Sequence, residues 1–190
     1  MGLHPFRREI NPGVGGEKVK IQTKEIALIA VYAALYAALV VVLGAFSYGP
    51  INIRIADALL SVVPLVGFVG VLGHTLGVFV ANIFSSVGVV DLLNTIPSFA
   101  MSFLVYYLYK RTKNDYAVLA SSIAYSLVLG TTVGWMLSSV YNMPLVPTIA
   151  WVIVGNLIVT TLIGWPMFKL LKRTGVFQKW FPNENQVTKT

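Results

Sequence analysis

The chain has 190 residues, of which 56% are hydrophobic and only 11% carry a charge, and its formal net charge is +7 at pH 7. Soluble domains contain about 25% charged residues, so this composition argues against a soluble fold and indicates a membrane protein. Cysteine is absent and only two histidines occur, which argues against a disulfide framework, a thiolate nucleophile or a histidine-based metal centre. We therefore expect neither a metal nor a cofactor.

The basic residues lie at the ends of the apolar runs. Of the 14 Lys and Arg residues, all but Arg54 precede the first apolar run, follow the last one, or lie in the break Lys110–Lys113. Basic residues that flank membrane spans on the cytoplasmic side are what the positive-inside rule requires. The positive charge therefore reflects membrane topology, and we expect a lipid bilayer, not nucleic acid, around this chain.

The chain begins with a polar segment, residues 1–23, which we expect to be a cytoplasmic tail. The apolar run from Ile26 to Phe46 follows it. A signal peptide is the competing interpretation, but its apolar region is about 7–15 residues long and this run is longer. The run therefore predicts an uncleaved first transmembrane helix.

The next region, from Ala56 to Val90, is too long for a single span. One proline and three glycines in this region predict a break, namely Pro64, Gly67, Gly70 and Gly73. The break separates a short second helix from a third helix near residues 71–88.

Three further helices are predicted: Asp91 to Tyr109, about Tyr116 to Trp135, and about Thr148 to Phe168, the last bent at Pro166. An outer loop, residues 138–147, connects the last two. Six spans place both termini and the basic break on one side, whereas five would put two basic ends on opposite faces. The predicted fold is an all-α membrane protein of six transmembrane helices, residues 24–173, with a cytoplasmic tail at each end, the second being residues 174–190.

Arg54 and Asp57 are two of the few charges that lie among the apolar runs. A charged side chain at membrane depth costs at least ~2.5–3.5 kcal/mol and normally faces a partner or a cavity. The two residues either pair with each other or line a site for a polar solute, and we favour the site.

Polar and aromatic residues of other helices are expected at a similar depth in the outer half of the membrane. The resulting candidate substrate-binding residues are Asn52, Arg54, Asp57, Asn82, Asp91, Asn94, Trp135 and Asn156. Each asparagine has a structural alternative, an interhelical hydrogen bond, and each aspartate can cap a helix. Carboxylates beside aromatic rings suit a small, planar, nitrogen-rich solute. No acid–base, nucleophile or metal constellation is visible, so we expect a binding protein and not an enzyme.

The first helix carries a ladder of small residues, in which Ala30, Ala34 and Ala38 recur every four positions. Such faces let membrane helices approach closely. The ladder packs either against this protein's own helices or against a partner membrane protein. His74, near the inner end of the third helix, is interpreted as a packing residue and is assigned no role.

Four stretches resemble the substrate-binding S components of energy-coupling factor (ECF) vitamin transporters, most closely the queuosine-precursor transporter (QueT) family. The main one is Tyr48–Leu59, which matches a Gly-Pro-x-x-x-Arg-x-x-acid-Ala-Leu run. Shorter matches are residues 77–82, residues 88–91 and Ile163-Gly164-Trp165-Pro166 ahead of the basic tail. The resemblance covers roughly residues 25–175.

The resemblance implies a multi-pass cell-membrane protein that captures a small molecule from outside. Its implied partners are a transmembrane T subunit, contacted by the alanine ladder, and two cytoplasmic ATPase subunits. For a 7-deazaguanine ligand, Asp57 would accept from the ring N–H and the exocyclic amine, and Asp91 would balance a ligand amine. The chain departs from the family at Asp57, where Glu is usual, and at Asn156, where an acid is expected. An S component for another vitamin-like solute is the main alternative; a membrane enzyme or a structural membrane protein is the other.

Overall fold

The computed structural model describes residues 23–48 and 52–177, and within these ranges the chain is helical with no β-strand. The described helices are α1 (Thr23–Val42), α2 (Ile55–Val66), α3 (Phe68–Ile83), α4 (Val89–Thr112), α5 (Asp115–Tyr141) and α6 (Leu145–Thr174). A four-residue helical turn, Gly44–Ser47, follows α1. Residues 1–22 and 178–190, which include most of both predicted tails, lie outside the described residues.

Four of these helices, α1, α4, α5 and α6, are long and apolar enough to cross a membrane, with 20, 24, 27 and 30 residues. A helix of ~20 residues spans about 30 Å, the thickness of the hydrocarbon core of a bilayer. The apolar helices α2 and α3 are shorter than the other four. The all-helical fold and the membrane location are therefore confirmed.

The break between α2 and α3 is sharper than predicted. It lies at Gly67, whose φ of +83° is one that residues with a side chain rarely adopt. The third helix consequently begins at Phe68 and ends at Ile83, so the predicted bounds of 71–88 are wrong. Gly70 and Gly73, expected to break the chain, lie inside α3, where they allow neighbouring segments to approach.

The loop between α5 and α6 is shorter than the predicted residues 138–147. Helix α5 continues to Tyr141 and ends at Asn142, which adopts a left-handed conformation with φ +52°. Serines near the end of α5 do not break it, because their hydroxyls bond back to helix carbonyls: Ser139 Oγ donates to the carbonyl of Trp135 over 2.9 Å. Hydropathy alone therefore underestimated the length of this helix.

Helix α6 changes geometry before Pro166. Residues Ile158–Gly164 form a π-helical stretch, and α-helical geometry resumes at Trp165. Proline lacks the N–H that the regular pattern requires, so an irregular segment ahead of it is expected. Gly164 ends this stretch against α2, where a Cβ would lie 2.5 Å from Ser61 Oγ.

Helices α1 and α3 pack in parallel through glycine contacts. A Cβ on Gly73 would lie 2.8 Å from Tyr32 Cβ, and one on Gly77 would lie 2.7 Å from Tyr36 Cβ. The residue numbers of the contacting positions increase together along both helices, so the two helices run in the same direction. Small residues are what permits such an approach in lipid, where apolar burial contributes little to helix association.

Helices α5 and α6 pack in antiparallel through a second pair of glycines. A Cβ on Gly130 would lie 2.8 Å from Ile153 Cα, and one on Gly134 would lie 2.6 Å from Ile149 Cα. Because these neighbours are backbone atoms, a side chain at either glycine would have to push the helices apart.

The helices alternate between two ends of the bundle. The ends of α2, α4 and α6 meet around one cleft, lined by Pro64, Tyr109, Lys113 and Lys172 among others. Helix α3 begins at this same end, because it follows α2 directly. Helix α1 runs parallel to α3 and therefore begins here too. Helix α5 also begins here, at Asp115, which pairs with Lys172 of α6. We call this end, which holds Lys110, Arg111, Lys113, Lys169, Lys172 and Arg173, the basic end.

Gly134→Ala is expected to destabilise the bundle by about 1–3 kcal/mol, because the added methyl group overlaps the backbone of Ile149. Gly44→Ala is the matched control, since a Cβ there would meet only Tyr48 ring atoms at 3.6 Å or more, an ordinary contact. Thermal unfolding in detergent should give a lower midpoint for Gly134→Ala than for Gly44→Ala. Equal midpoints would contradict the close helix contact.

Candidate functional site

A buried ion pair lies at the end of the bundle opposite the basic end. Arg54 Nη2 lies 2.8 Å from Asp91 Oδ2, and the two side chains are only 6% and 1% exposed. Arg54 precedes α2 in extended backbone, whereas Asp91 belongs to the first turn of α4. Arg54 therefore pairs across helices with Asp91, and not within its own segment with Asp57.

Asp91 is held from two further directions. Helix α4 begins as a 3₁₀ turn, Val89–Asn94, in which residues three apart share one face. Asn94 Nδ2 therefore reaches Asp91 Oδ1 at 2.9 Å, and Asn82 Nδ2 donates to the carbonyl oxygen of Asp91 at 2.8 Å. Asp91 thus joins three other predicted site residues, Asn82 from α3, Asn94 from α4 and Arg54 from the segment before α2.

The segment that carries Arg54 is anchored to the ends of α1 and α3. Asn52, which is buried, adopts a left-handed conformation with φ +40°. Ile53 N–H donates to the Phe46 carbonyl at 2.8 Å. The guanidinium lies 5.9 Å from the ring centre of Tyr48, whose hydroxyl donates to the Ala81 carbonyl at 2.5 Å.

Asp57 occupies the first turn of α2 and is buried among tyrosines. The hydroxyl of Tyr36 from α1 donates to Asp57 Oδ1 at 2.5 Å. Tyr125 from α5, also buried, interacts with the same carboxyl group. Neither tyrosine is among the site residues predicted from the sequence, because an isolated tyrosine in an apolar helix carries no signal that separates a site residue from a packing residue.

Several buried polar atoms near this end have no hydrogen-bond partner among the described residues. They include Asn82 Oδ1, Asn156 Oδ1 and Ser47 Oγ. Asn156 follows Gly155, at which a Cβ would lie 3.3 Å from Ile53 and 3.8 Å from the Asn52 carbonyl oxygen. An unpaired buried polar atom costs about 1–3 kcal/mol, so these atoms favour an arrangement in which a polar guest supplies their partners.

His74 is another buried group without such partners. Both of its ring nitrogens lack a hydrogen bond, and its ring packs edge-on against Tyr36 with 5.0 Å between the ring centres. Tyr32 and Tyr125 surround it in a similar way. His74 is thus enclosed by tyrosine rings, and two of these tyrosines, Tyr36 and Tyr125, contact Asp57.

Trp135 differs from the other predicted site residues, because it is 58% exposed. It lines a cleft of about 190 Å³ on the outside of the bundle, together with Asn94 and Met136. Asn94 Nδ2 lies 3.4 Å from Met136 Sδ, so the floor of this cleft touches the Asp91 network. Within the described residues, no group of three His, Cys, Asp or Glu residues is arranged to hold a metal ion.

The alanines of α1 lie on two faces of the helix, and those of the predicted ladder lie on the exposed face. Ala33 and Ala37 are buried and pack in the bundle, whereas Ala30, Ala34 and Ala38 are exposed. The exposed alanines therefore do not pack against this chain's own described helices, which leaves contact with lipid or with a partner.

A family model described as QueT transporter matches residues 26–173. No curated protein and no solved structure matches the chain.

Asp91→Asn is expected to lower the free energy of unfolding by about 3–5 kcal/mol, because it leaves the buried Arg54 guanidinium without a counter-charge. The double variant Arg54→Gln/Asp91→Asn should lose less than the sum of the two single losses, since neither charge then remains alone. Unfolding in detergent should be measured for all three variants.

Asp115→Asn is the control for this cycle. It breaks the Lys172–Asp115 pair, whose side chains are about a third exposed, and should cost only about 0–1 kcal/mol. If the losses at positions 54 and 91 were simply additive, the two residues would not be coupled.

Proposed function

This chain belongs to the QueT transporter family, and from that premise we propose that it is the substrate-binding S component of an ECF-type importer. It captures a small, planar, nitrogen-rich micronutrient from outside, a queuosine precursor of the 7-deazaguanine class. The observation that carries the proposal is the buried network of Arg54, Asp57 and Asp91 in an otherwise apolar bundle. Such groups inside a membrane protein generally mark a solute pathway or binding site.

The proposed topology has six membrane crossings with both termini in the cytoplasm. The alternation of the helices and the basic residues of the basic end support it, because positive residues concentrate on the cytoplasmic side. Helices α2 and α3 are short for a full crossing and would be accommodated by local thinning of the bilayer. The Arg54–Asp91 network then lies near the outer surface, where a solute arrives.

Asp57 is the proposed base-recognition residue. A carboxylate offers about four acceptor positions, so it can receive the N–H and the exocyclic amine of a deazaguanine while it keeps the bond from Tyr36. The unpartnered oxygens of Asn82 and Asn156 supply further acceptors for ligand N–H groups. A donor-rich heterocycle therefore suits this site better than an acceptor-rich one.

Asp91 is the proposed partner of a ligand amine. The network contains two carboxylates and one guanidinium, so it is one positive charge short, and an ammonium group that shared Asp91 with Arg54 would supply that charge. Trp135 and Asn94 line the adjacent cleft, which provides an aromatic surface next to this network.

The exposed alanine face of α1 is the proposed docking surface for a transmembrane T subunit, which in turn associates with two cytoplasmic ATPase subunits. Ala30, Ala34 and Ala38 are available on the outside of the bundle. Small side chains every four residues allow a neighbouring helix to approach closely in lipid.

An S component for another vitamin-like solute is the main alternative, because Asp57 and Asn156 depart from the residues expected in the family. A membrane enzyme or a purely structural protein is a further alternative. Ligand binding separates these possibilities, since an S component binds its solute without converting it.

Purified protein in detergent should bind a 7-deazaguanine, detected by a change in tryptophan fluorescence. Asp57→Asn should weaken this binding by about 10–100-fold, because a charge-assisted hydrogen bond contributes about 1.5–3 kcal/mol. Asn keeps an acceptor for Tyr36, so the variant should still fold. Asp115→Asn, at the basic end, is the matched control and should bind normally. Tight binding of a purine or vitamin instead would replace the proposed substrate, and no binding by folded protein would contradict the binding function.

Ala34→Leu should reduce co-purification with a T subunit by at least tenfold, because the larger side chain prevents close helix approach. Ligand affinity should stay unchanged, since Ala34 lies outside the buried network. Ala100→Leu, at an exposed position of α4, is the matched control for a leucine added to the lipid-facing surface. Equal association of both variants would exclude the alanine face as the interface.

A further inference from the structure

The basic end of the bundle contains two neighbouring clefts that share Lys172. The first, about 300 Å³, lies between the ends of α2, α4 and α6. The second, about 340 Å³, lies on the other side of Lys172. Neither belongs to the proposed substrate site, which lies at the opposite end.

The lining of the first cleft combines apolar and cationic side chains. Pro64, Leu65 and Leu171 contribute apolar surface, and Lys113 and Lys172 contribute ammonium groups. A cleft of this kind suits an amphipathic guest whose charged group is negative.

The second cleft adds more positive charge. It is lined by Lys169, Lys172, Arg173 and Asp115. Asp115 pairs with Lys172, which leaves the combined lining of the two clefts with four basic side chains and a single acid.

Aromatic rings lie beside these cations. Lys169 Nζ is 4.8 Å from the ring centre of Trp165, and Lys172 Nζ is 5.7 Å from that of Tyr109. Trp and Tyr next to Lys and Arg are typical of the membrane–water interface, where lipid headgroups lie. In the proposed topology, this composition places the clefts at the depth of the phosphate groups of the bilayer.

We propose that these clefts form a binding site for the headgroup of an anionic phospholipid. The phosphate contacts Lys113 and Lys172, and the glycerol and first methylene groups lie against Pro64 and Leu65. Basic pockets between transmembrane helices are known to suit such headgroups. An acidic surface of another protein would match the charge but would not fill a concave cleft lined in part by apolar side chains.

The test uses native mass spectrometry of the full chain, titrated in detergent with phosphatidylglycerol or with zwitterionic phosphatidylcholine. The wild type should retain phosphatidylglycerol preferentially. Lys113→Gln/Lys172→Gln should weaken that binding by roughly 25-fold, from about 1 kcal/mol for each cation. Lys110→Gln/Arg111→Gln removes the same charge at the same end without altering either cleft, and should bind as the wild type does.

Equal retention of the two lipids, or equal loss in both double variants, would overturn the proposal. Displacement of the lipid by millimolar inorganic phosphate would reassign the site to a soluble anion. If Lys113→Gln/Lys172→Gln bound lipid as the wild type does but no longer associated with the ATPase subunits, the clefts would be a protein interface instead. Lys169→Gln/Arg173→Gln provides a second variant if the first does not fold, and it too should weaken phosphatidylglycerol binding.

Discussion

A charged side chain inside an apolar bundle needs its counter-charge within the protein, because lipid offers neither charge nor hydrogen bonds. Arg54 meets this requirement through Asp91, 37 residues further along the chain. The pair fixes the segment before α2 against the first turn of α4. The bonds from Asn82 and Asn94 then follow from the position of Asp91. The arrangement of this end of the bundle therefore depends on one buried ion pair.

The sequence identified most members of this network, since a charge or an amide within an apolar run is visible without a structure. It did not identify how they pair. Arg54 and Asp57 are three positions apart, but Arg54 lies in extended backbone before α2 while Asp57 lies within the helix. Their side chains therefore meet different partners: Asp91 for Arg54, and Tyr36 for Asp57. Such contacts depend on helix packing, which hydropathy does not specify.

The sequence also did not show which side of each helix faces the lipid and which side faces the protein. In a membrane protein the lipid-facing and protein-facing sides are both apolar, so the pattern of α5 did not reveal that Trp135 lies outside while Tyr125 lies inside. In α1, by contrast, alanines that recur every four positions at least indicated a face suited to close helix packing. Glycines were ambiguous in another way: Gly67 breaks the chain, whereas Gly73 permits close packing within a continuous helix.

The π-helical stretch of α6 links the two halves of the molecule. It lies between Asn156, beside the Arg54 segment, and Lys172, at the basic end. Each π turn holds one more residue than an α turn, so deleting a single residue there can be absorbed by a return to regular α-helical geometry, whereas a deletion in the α-helical parts would rotate everything after it by about 100°. After a deletion in the π-helical stretch, Lys172 would still face Asp115 while Asn156 stayed in place. This stretch is therefore more tolerant of a one-residue deletion than the regular turns on either side of it.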